Sequence, residues 1–396
     1  MKLKQREIEV GTLKLSARAK KYVNEILETN RLSYGPFTKK FEGEFARLHE
    51  TRFCVASNSG TSALYVALGA LKEIHGWADG DEVLVPATTF VATSNIVIYN
   101  QMTPVFVDVD ADHFTMDPAL IEKAITSKTR CILVVHLLGQ PADMKPIFEI
   151  AQKHHLKIIE DSAETMYARY QDKMVGGLGD IACFSTYVAH LLTTGVGGLN
   201  TTNNPDYAIK LRSLINHGRD SIYLNIDDDN EKKGEELNLI IKKRFSFVSF
   251  GHSFRITELE SAIGLAQLEE SFVQSVEQRR KNALYLIQQL SSLSDKIQLA
   301  KIRPGNEHSF MVFPIVVRHD TKVKLVEFLE SRGIETRDLL PLINQPVYQK
   351  AFKIKKEDFP ISNKLVESAF YIGCHQDLTF EDLDYVAENL IEFFKK

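Results

Sequence analysis

The chain has 396 residues, of which 44% are hydrophobic and 25% are charged, and its formal net charge is -4. This length allows roughly two to three domains and a large buried core. The composition is that of a soluble globular protein and excludes the fibrous and disordered classes. The weak negative charge gives no electrostatic footprint for a nucleic acid or an anionic membrane, so small-molecule partners are favoured.

The N-terminal stretch MKLKQREIEVGTLKL has no apolar region behind its charges, which argues against a secretory signal. Apolar runs such as CILVV are too short to span a bilayer, so we expect a cytoplasmic chain. The cysteines lie far apart without a CxxC pair, and we expect reduced, buried thiols rather than a zinc, disulfide or iron–sulfur site. These cysteines are Cys54, Cys131, Cys183 and Cys374.

Short β-rich runs alternate with helical patterns through the first half of the chain. The predicted strands begin at Phe53, Glu82, Pro104, Cys131, Lys157 and Asp180, and the predicted helices lie near 61–72, 93–100, 118–125 and 144–154. This alternation is typical of βαβ units and predicts an α/β fold with a large, mostly parallel sheet. Ligands gather at the carboxyl ends of strands in such sheets, where the polar stretches 57–61 and 88–90, Asp161 and Ser185 stand.

The second half of the chain has a different pattern. The segment 226–236, IDDDNEKKGEE, lacks the EF-hand spacing of glycine and glutamate, so we expect a solvated loop and no calcium site. From about residue 271 we expect a long helix, an apolar strand in FMVFPIVV, a helix over 323–332 and a last helix over 381–393. We therefore expect a large α/β domain over 1–270 and a smaller C-terminal α+β domain over 271–396.

Three stretches contain candidate functional residues. SNSGTSAL, at 57–64, places a flexible turn before a helix, which suits an anion such as phosphate and equally suits simple helix capping. IIEDSAET ends a strand in carboxylates, of which Asp161 is either a helix N-cap or a buried carboxylate that awaits a cation. His190, just before TTGVGG, is either a packed core imidazole or a functional group. The residues alone leave these alternatives open.

Further motifs occur in a fixed order along nearly the whole chain. They are YGPFTKKFEGEFA, SNSGTSAL, GDEVLVPATTFVAT, TPVFVDVD, VVHLLGQPADM, IIEDSAE, GDIACFS, TTGVGGL, NHGRD, FGHSFRITELESAIGLAQLEE and GIETRDLLPLINQP. With these motifs the chain resembles the DegT/DnrJ/StrS family of nucleotide-sugar aminotransferases. Members of this family are fold type I pyridoxal phosphate enzymes, so the resemblance implies that fold and that cofactor.

The resemblance also implies roles for residues around the cofactor phosphate. Gly60, Thr61 and Ser185 would hold this phosphate by charge-assisted hydrogen bonds at a helix N-terminus. Asn216 would reach the phosphate of the partner subunit, in a homodimer with shared active sites.

The cofactor ring has its own implied contacts. Phe90 would cover one face of the pyridine ring. Asp161 would pair with the ring nitrogen and keep it protonated, which makes the ring an electron sink. Glu164 stands near the ring oxygen, where many relatives carry glutamine, and it adds negative charge beside the cofactor.

The main departure from the family is His190, which occupies the position of the lysine that binds the cofactor covalently in the sugar-aminating relatives. A histidine there resembles the branch of nucleotide-sugar 3-dehydratases that act on 4-keto-6-deoxy sugars. Two other positions depart as well. Val196 replaces a usual glutamate, and Leu191 replaces a second histidine found in the dehydratases.

We therefore expect a 3-dehydratase of deoxysugar biosynthesis that uses pyridoxamine phosphate, regenerated from glutamate, with neutral His190 as the base. The alternative is a sugar aminotransferase, or a lysine-less variant of one, that yields an amino sugar. A third possibility is a non-enzymatic ligand sensor with the same fold.

The substrate residues are less clearly indicated. Arg219 and Arg255 suit a nucleotide diphosphate because guanidinium forks match phosphate oxygens, although each equally suits a structural ion pair. His136 ends a strand and is expected to be a hydrogen-bonded core residue. Further candidates that face the sugar are His217, His252 and Arg337. The sequence does not indicate which nucleotide base is bound.

Overall fold

The computed structural model describes residues 7–221, 230–318, 321–339 and 342–395. In this part of the chain the strands are β1 (Phe53–Ser57), β2 (Glu82–Pro86), β3 (Thr103–Val107), β4 (Thr129–Val135), β5 (Lys157–Asp161), β6 (Arg169–Tyr170), β7 (Lys173–Met174), β8 (Ile181–Ser185), β9 (Gly198–Thr202), β10 (Ile297–Leu299), β11 (Phe313–Val317), β12 (Thr336–Asp338) and β13 (Ala369–Ile372). The helices are α1 (Ala17–Thr29), α2 (Pro36–Leu48), α3 (Gly60–His75), α4 (Val91–Tyr99), α5 (Pro118–Ala124), α6 (Met144–His154), α7 (Pro205–Ile215), α8 (Gly234–Lys243), α9 (Glu258–Glu270), α10 (Phe272–Gln289), α11 (Lys322–Ser331), α12 (Pro346–Phe352), α13 (Pro360–Ser368) and α14 (Phe380–Lys395).

The large sheet of the described chain has the strand order β1-β9-β8-β5-β4-β2-β3. Its pairs β2–β3, β2–β4, β4–β5 and β5–β8 are parallel, and β9 runs antiparallel to both β1 and β8. The predicted α/β fold with a mostly parallel sheet is therefore confirmed. Because all strands except β9 point the same way, their carboxyl ends lie along one edge of the sheet.

Helices cover both faces of this sheet, which explains why its strands are almost continuously apolar. Side chains alternate between the faces along each strand. In β4, Cys131 and Leu133 belong to the cluster that contains α3, whereas Ile132 and Val134 belong to the cluster that contains Ile147 of α6. The strands are thus buried from both sides, and polar groups are left at their ends.

The second sheet is antiparallel, with the order β10-β11-β13-β12. Its core joins Phe313 of β11 to Leu286 of α10, Leu325 of α11 and Leu390 of α14. Ile8, near the N-terminus, also packs in this core, and its backbone N–H donates to the Gly333 carbonyl at 2.8 Å. The division at residue 270 stays a prediction, and Ile8 packs with the smaller sheet although it precedes that division.

Three smaller expectations have different outcomes. The segment 226–236 lies partly outside the described residues, and its last residues belong to α8, which begins at Gly234, rather than to a loop. All four cysteines are buried and free of disulfides. No helix among the described residues is long and apolar enough to cross a membrane.

Candidate active site

A cavity of about 370 Å³ opens where the strands of the large sheet end. β5 and β8 contribute their last residues to it, α3 contributes its first turn, and the small sheet contributes Tyr371. We call this cavity the cleft. Of the residues predicted to contact the cofactor, it brings together Gly60, Thr61, Phe90, Asp161, Glu164, Ser185 and His190.

One end of the cleft is formed by the start of α3. The Ser59 hydroxyl accepts a hydrogen bond from the backbone N–H of Ser62 at 3.1 Å and so caps the helix. This cap leaves the first N–H groups of the helix at the cleft. Helix capping and anion binding, the two alternatives for this turn, are therefore compatible. A Cβ atom on Gly60 would lie 2.6 Å from the Ser185 Cβ, so only glycine allows β8 to end this close. The result is a compact cradle of neutral donors that suits an anion.

Phe90 provides an aromatic surface for a flat ligand next to this cradle. This residue precedes α4, lines the cleft and leaves 57% of its surface exposed, which is unusual for a large aromatic side chain. An exposed aromatic face at a cleft is suited to stacking on another planar ring.

Asp161 ends β5 and is only 4% exposed. Its Oδ2 accepts from the Thr93 hydroxyl at 2.8 Å, and its Oδ1 accepts from the Ala163 N–H at 3.2 Å. Burial raises the pKa of this carboxyl, and the two hydrogen bonds oppose that effect. The residues after Asp161 form a turn and not a helix, so Asp161 is not a helix N-cap. It is instead a buried carboxylate.

Glu164 is a second carboxyl in the cleft. Its Oε2 accepts the Leu138 N–H at 2.9 Å, yet burial, together with the charge of Asp161, raises its pKa to about 7. Near neutral pH this side chain is therefore able both to give and to accept a proton.

The His190 ring lies in the cleft with its Nδ1 3.2 Å from the carbonyl oxygen of Ser185. A carbonyl oxygen only accepts, so Nδ1 carries the hydrogen and Nε2 has the free electron pair. Burial lowers the pKa of His190 to about 4, which keeps the imidazole neutral near pH 7. His190 is thus a neutral ring facing the cleft, and the alternative of a packed core histidine is wrong.

In the described part of the chain, no lysine or arginine lines the cleft. Its ionisable lining groups are Asp161, Glu164, His190, Tyr187 and Tyr371. Two carboxyls without a fixed cation favour a ligand that carries positive charge, such as a protonated ring nitrogen or amine.

Asn216, predicted to reach the partner's phosphate, and Arg219 and Arg255, predicted to bind a nucleotide diphosphate, are not part of the cleft lining of this chain. Asn216 Oδ1 accepts from Arg255 Nη1 at 2.8 Å and from the Tyr34 hydroxyl at 3.0 Å. The Arg219 guanidinium lies over the Phe245 ring, 5.4 Å from its centroid. The contact of Asn216 with the partner's phosphate and the binding of a nucleotide diphosphate by Arg219 and Arg255 both stay predictions.

The other candidates for the sugar also lie away from the cleft lining. The His252 ring stacks on Phe254 with centroids 4.6 Å apart, Arg337 pairs with Glu335, and His217 has a left-handed backbone with φ of 62°. The prediction for His136 is confirmed, because this buried ring binds Glu160 at 3.1 Å.

Sequence reasoning missed several lining residues. Thr93 lies one helical turn after Phe90, and Tyr187 lies three residues before His190. Residues at this spacing face the same side of a helix or turn as the predicted residues, so the spacing could have indicated both. Val10 and Tyr371 come from distant segments and have no local signal.

The cleft residues fit a pyridoxal phosphate cofactor. The cradle at Gly60 suits its phosphate, the exposed ring of Phe90 suits its planar ring, and the buried carboxylate of Asp161 suits its protonated ring nitrogen. Together with the fold, these features define a pyridoxal phosphate enzyme of fold type I.

The model of the DegT/DnrJ/EryC1/StrS aminotransferase family matches residues 14–391. The chain therefore belongs to this family of nucleotide-sugar enzymes, as the sequence motifs predicted.

Individual relatives carry names of two kinds. The chain is 33% identical to the GDP-perosamine synthase of Caulobacter vibrioides, over 96% of each chain. It is 32% identical to the dTDP-4-dehydro-2,6-dideoxy-D-glucose 3-dehydratase of Saccharopolyspora spinosa, over 92% of this chain and 82% of that protein. Among solved structures it is similar to PseC of Helicobacter pylori, an aminotransferase involved in the biosynthesis of pseudoaminic acid, with a TM-score of 0.87, 25% identity and coverage of 98% and 100%.

Proposed function

We propose that this chain acts on the keto carbon of a nucleotide-linked sugar, with a vitamin B6 cofactor held without a covalent bond to lysine. The observation that carries the proposal is His190, which lies in the cleft with Nε2 as its free base, in a lining that includes no lysine among the described residues. Imidazole moves protons well but does not form a stable covalent link to the cofactor.

The chain's own residues have distinct tasks in this proposal. Gly60, Thr61 and Ser185 bind the phosphate, Phe90 covers the ring, and Asp161 holds the proton of the ring nitrogen. When bound, the cofactor carries an amino group and takes up and returns an electron pair, and an amino acid donor such as glutamate restores its amino form.

The proton transfers fall to two groups with different pKa values. His190 Nε2 is unprotonated near pH 7 and accepts the proton from the reacting carbon, since its pKa is about 4. Glu164, with a pKa of about 7, is protonated in part of the molecules and keeps a proton available beside the ring.

Transfer of the amino group to the sugar is the first candidate reaction. The family is named for aminotransferases, and PseC is one as well, so the comparisons support this alternative better than the dehydration that the sequence led us to expect. In this reaction His190 returns the proton to the sugar carbon, and the product has an amino group in place of the keto oxygen.

Loss of the C3 hydroxyl as water is the second candidate, supported by one observation. His190 replaces lysine, and an untethered cofactor is compatible with expulsion of a neighbouring hydroxyl to which His190 gives its proton. A relative named as a 3-dehydratase is 32% identical to this chain. The product would keep its keto group and lack the C3 oxygen; the two electrons for this reduction would come from the amino form of the cofactor, whose amino group would leave as ammonia before glutamate restores it.

Assembly and location belong to the proposal as well. We propose a cytoplasmic homodimer in which Asn216, Arg219 and Arg255 of one subunit approach the cleft of the other, where the two arginines would supply the positive charge that the described cleft lining lacks.

The test is incubation of the purified protein with pyridoxamine phosphate, glutamate and a panel of 4-keto-6-deoxy nucleotide sugars, followed by mass spectrometry. Gain of nitrogen supports amine transfer, and loss of one oxygen with the keto group retained supports dehydration. Absence of any sugar product, together with a covalent adduct on a native lysine after borohydride treatment with pyridoxal phosphate, contradicts the proposal.

A further inference from the structure

Three buried side chains form a row of hydrogen bonds in the wall of the cleft. The hydroxyl oxygens of Thr89 and Thr93 lie 2.8 Å apart, and the Thr93 hydroxyl lies 2.8 Å from Asp161 Oδ2. Their exposures are 2%, 1% and 4%. All three line the cleft, so the row is part of the cavity wall and not of the general core.

The direction of this row follows from the chemistry of its members. An ionised carboxylate only accepts hydrogen bonds, so the single hydroxyl proton of Thr93 points to Asp161. The Thr93 oxygen is then only able to accept from Thr89, so the Thr89 hydroxyl donates to it. Hydrogen bonds aligned in one direction strengthen each other, and both O–H dipoles here point at the carboxylate.

The two oxygens of Asp161 therefore have separate, fixed donors: Thr93 holds Oδ2, and the Ala163 N–H holds Oδ1. We infer that Thr93, supported by Thr89, is a positioning residue that keeps Asp161 ionised and oriented toward the ring nitrogen of the cofactor. This inference rests on the role that the proposed function gives Asp161.

The turn that carries this row also carries Phe90. The Thr93 N–H donates to the Phe90 carbonyl at 3.2 Å, at the start of α4. The residue that would cover the ring face and the residues that would fix the partner of the ring nitrogen are thus coupled in one five-residue stretch, 89–93. A change in that stretch is expected to alter both contacts with the ring.

Other titratable groups surround Asp161, and the test must leave them unchanged. They come from the strand ends and the cleft lining, namely Glu160, Glu164, His136, Cys183 and His190. None of them exchanges a hydrogen bond with the Thr93 hydroxyl in the described structure, which contacts Thr89 and Asp161. A substitution at Thr93 therefore acts on Asp161 directly.

The test is Thr93→Val, which keeps the shape of the side chain and removes the hydroxyl. The dissociation constant of pyridoxamine phosphate is measured by absorbance titration between about pH 5 and pH 9. Loss of a hydrogen bond to a charged group is expected to weaken binding by about tenfold at neutral pH. Because loss of the donor raises the pKa of Asp161 further, the acidic fall in affinity is expected to move to higher pH, and Thr93→Ser is expected to restore both.

Thr88→Val is the matched control. Thr88 is adjacent to Thr89 and 2% exposed, but its hydroxyl donates to Ser362 at 2.9 Å and does not line the cleft. This variant is expected to bind pyridoxamine phosphate as the wild type does. If Thr93→Val does not fold, Thr89→Val tests the same row and is expected to give a shift to higher pH in the same direction, smaller than that of Thr93→Val, with a smaller loss of affinity.

The outcomes separate this inference from the function on which it rests. The inference would be overturned if the Thr93→Val and Thr88→Val proteins bound pyridoxamine phosphate with equal affinity and equal pH dependence. It would also be overturned if the pH dependence of binding to the Thr89→Val protein were the same as that of the wild type. If the wild-type protein does not bind pyridoxamine phosphate at any pH, this result contradicts the proposed function instead.

Discussion

The Nδ1 atom of His190 lies 3.2 Å from the carbonyl oxygen of Ser185, the last residue of β8. This contact fixes which nitrogen carries the hydrogen and leaves Nε2 as a base in the cleft. Ser185 thus has two parts in the proposed site, because its side chain belongs to the predicted phosphate cradle while its backbone orients His190, the proposed proton carrier.

His190→Asn is expected to lower the turnover of the nucleotide sugar by about 10²–10⁴-fold, because an asparagine side chain does not act as a base at this position. The affinity for pyridoxamine phosphate is expected to change little, since the predicted cofactor contacts of Gly60, Phe90 and Asp161 remain. Single-turnover kinetics and a binding titration measure the two quantities. Turnover within a few-fold of wild type would mean that another group moves the proton.

His190→Lys provides the opposite change at the same position. It is expected to form a borohydride-trappable bond to pyridoxal phosphate, which the wild type does not form at this site. Peptide mapping by mass spectrometry locates the adduct. If the variant gives no adduct at residue 190, this side chain does not reach the cofactor and the proposed site is wrong.

Gly60→Ala is expected to weaken the binding of pyridoxamine phosphate by about tenfold or more, because the added Cβ would lie 2.6 Å from the Ser185 Cβ and push the cradle open. Pyridoxamine without its phosphate is expected to lose much less affinity. Gly43→Ala is the control, since a Cβ at this position in α2 meets nothing within 4 Å. Equal losses for both ligands would place the phosphate elsewhere.

Glu164→Gln is expected to change how stability depends on pH in the cofactor-free protein. The folded-state pKa of about 7 lies above the ordinary value of 4.5, so the folded protein binds this proton more tightly than the unfolded chain. The stabilisation of the folded protein by protonated Glu164 is complete below about pH 4.5 and is lost as the pH rises through about 7.

Thermal unfolding at pH 5 and at pH 8 measures this effect. The wild type is expected to lose more stability between these two pH values than the Glu164→Gln variant. Histidines with lowered pKa values, such as His49 and His308, contribute equally to both proteins and cancel in the difference. Parallel curves for the two proteins would show that Glu164 titrates outside this range.

The residues predicted from the sequence share a local signal. Gly60 and Asp161 stand close to the end of a strand, and His190 precedes a glycine-rich turn that begins at Gly195. Since parallel strands end at one edge, such residues converge without knowledge of the loops. This reasoning predicted the fold and the edge of the sheet at which the cleft opens, whereas the roles of Gly60, Asp161 and His190 were implied by the resemblance to the family.

The remaining cleft residues depend on contacts that no local pattern contains. Thr93 meets Asp161 across 68 positions, and Tyr371 enters from the small sheet. Asn216 is predicted from the family resemblance, and Arg255 from the fit of its guanidinium group, to bind phosphates, but within one chain they bind each other. The predicted contact of Asn216 with the partner's phosphate depends on a second subunit, which one chain's packing does not reveal.

Glu258→Ala is expected to cost about 3 kcal/mol of the free energy of unfolding. The buried carboxylate of Glu258 accepts the backbone N–H groups of Phe37 and Thr38, each at 2.9 Å, and also bonds the Thr38 hydroxyl. These N–H groups belong to the first turn of α2 and have no partner within that helix. Removal of the carboxylate leaves them unpaired and removes a negative charge from a helix N-terminus.

Glu44→Ala is the control for this prediction. Glu44 lies on the same helix and binds Arg47 at 2.8 Å, but both side chains are exposed, so its removal is expected to cost less than about 1 kcal/mol. Urea unfolding followed by circular dichroism compares the two variants. If Glu258→Ala and Glu44→Ala shift the midpoint equally, the contact between α9 and the start of α2 does not have the strength that its burial and geometry indicate.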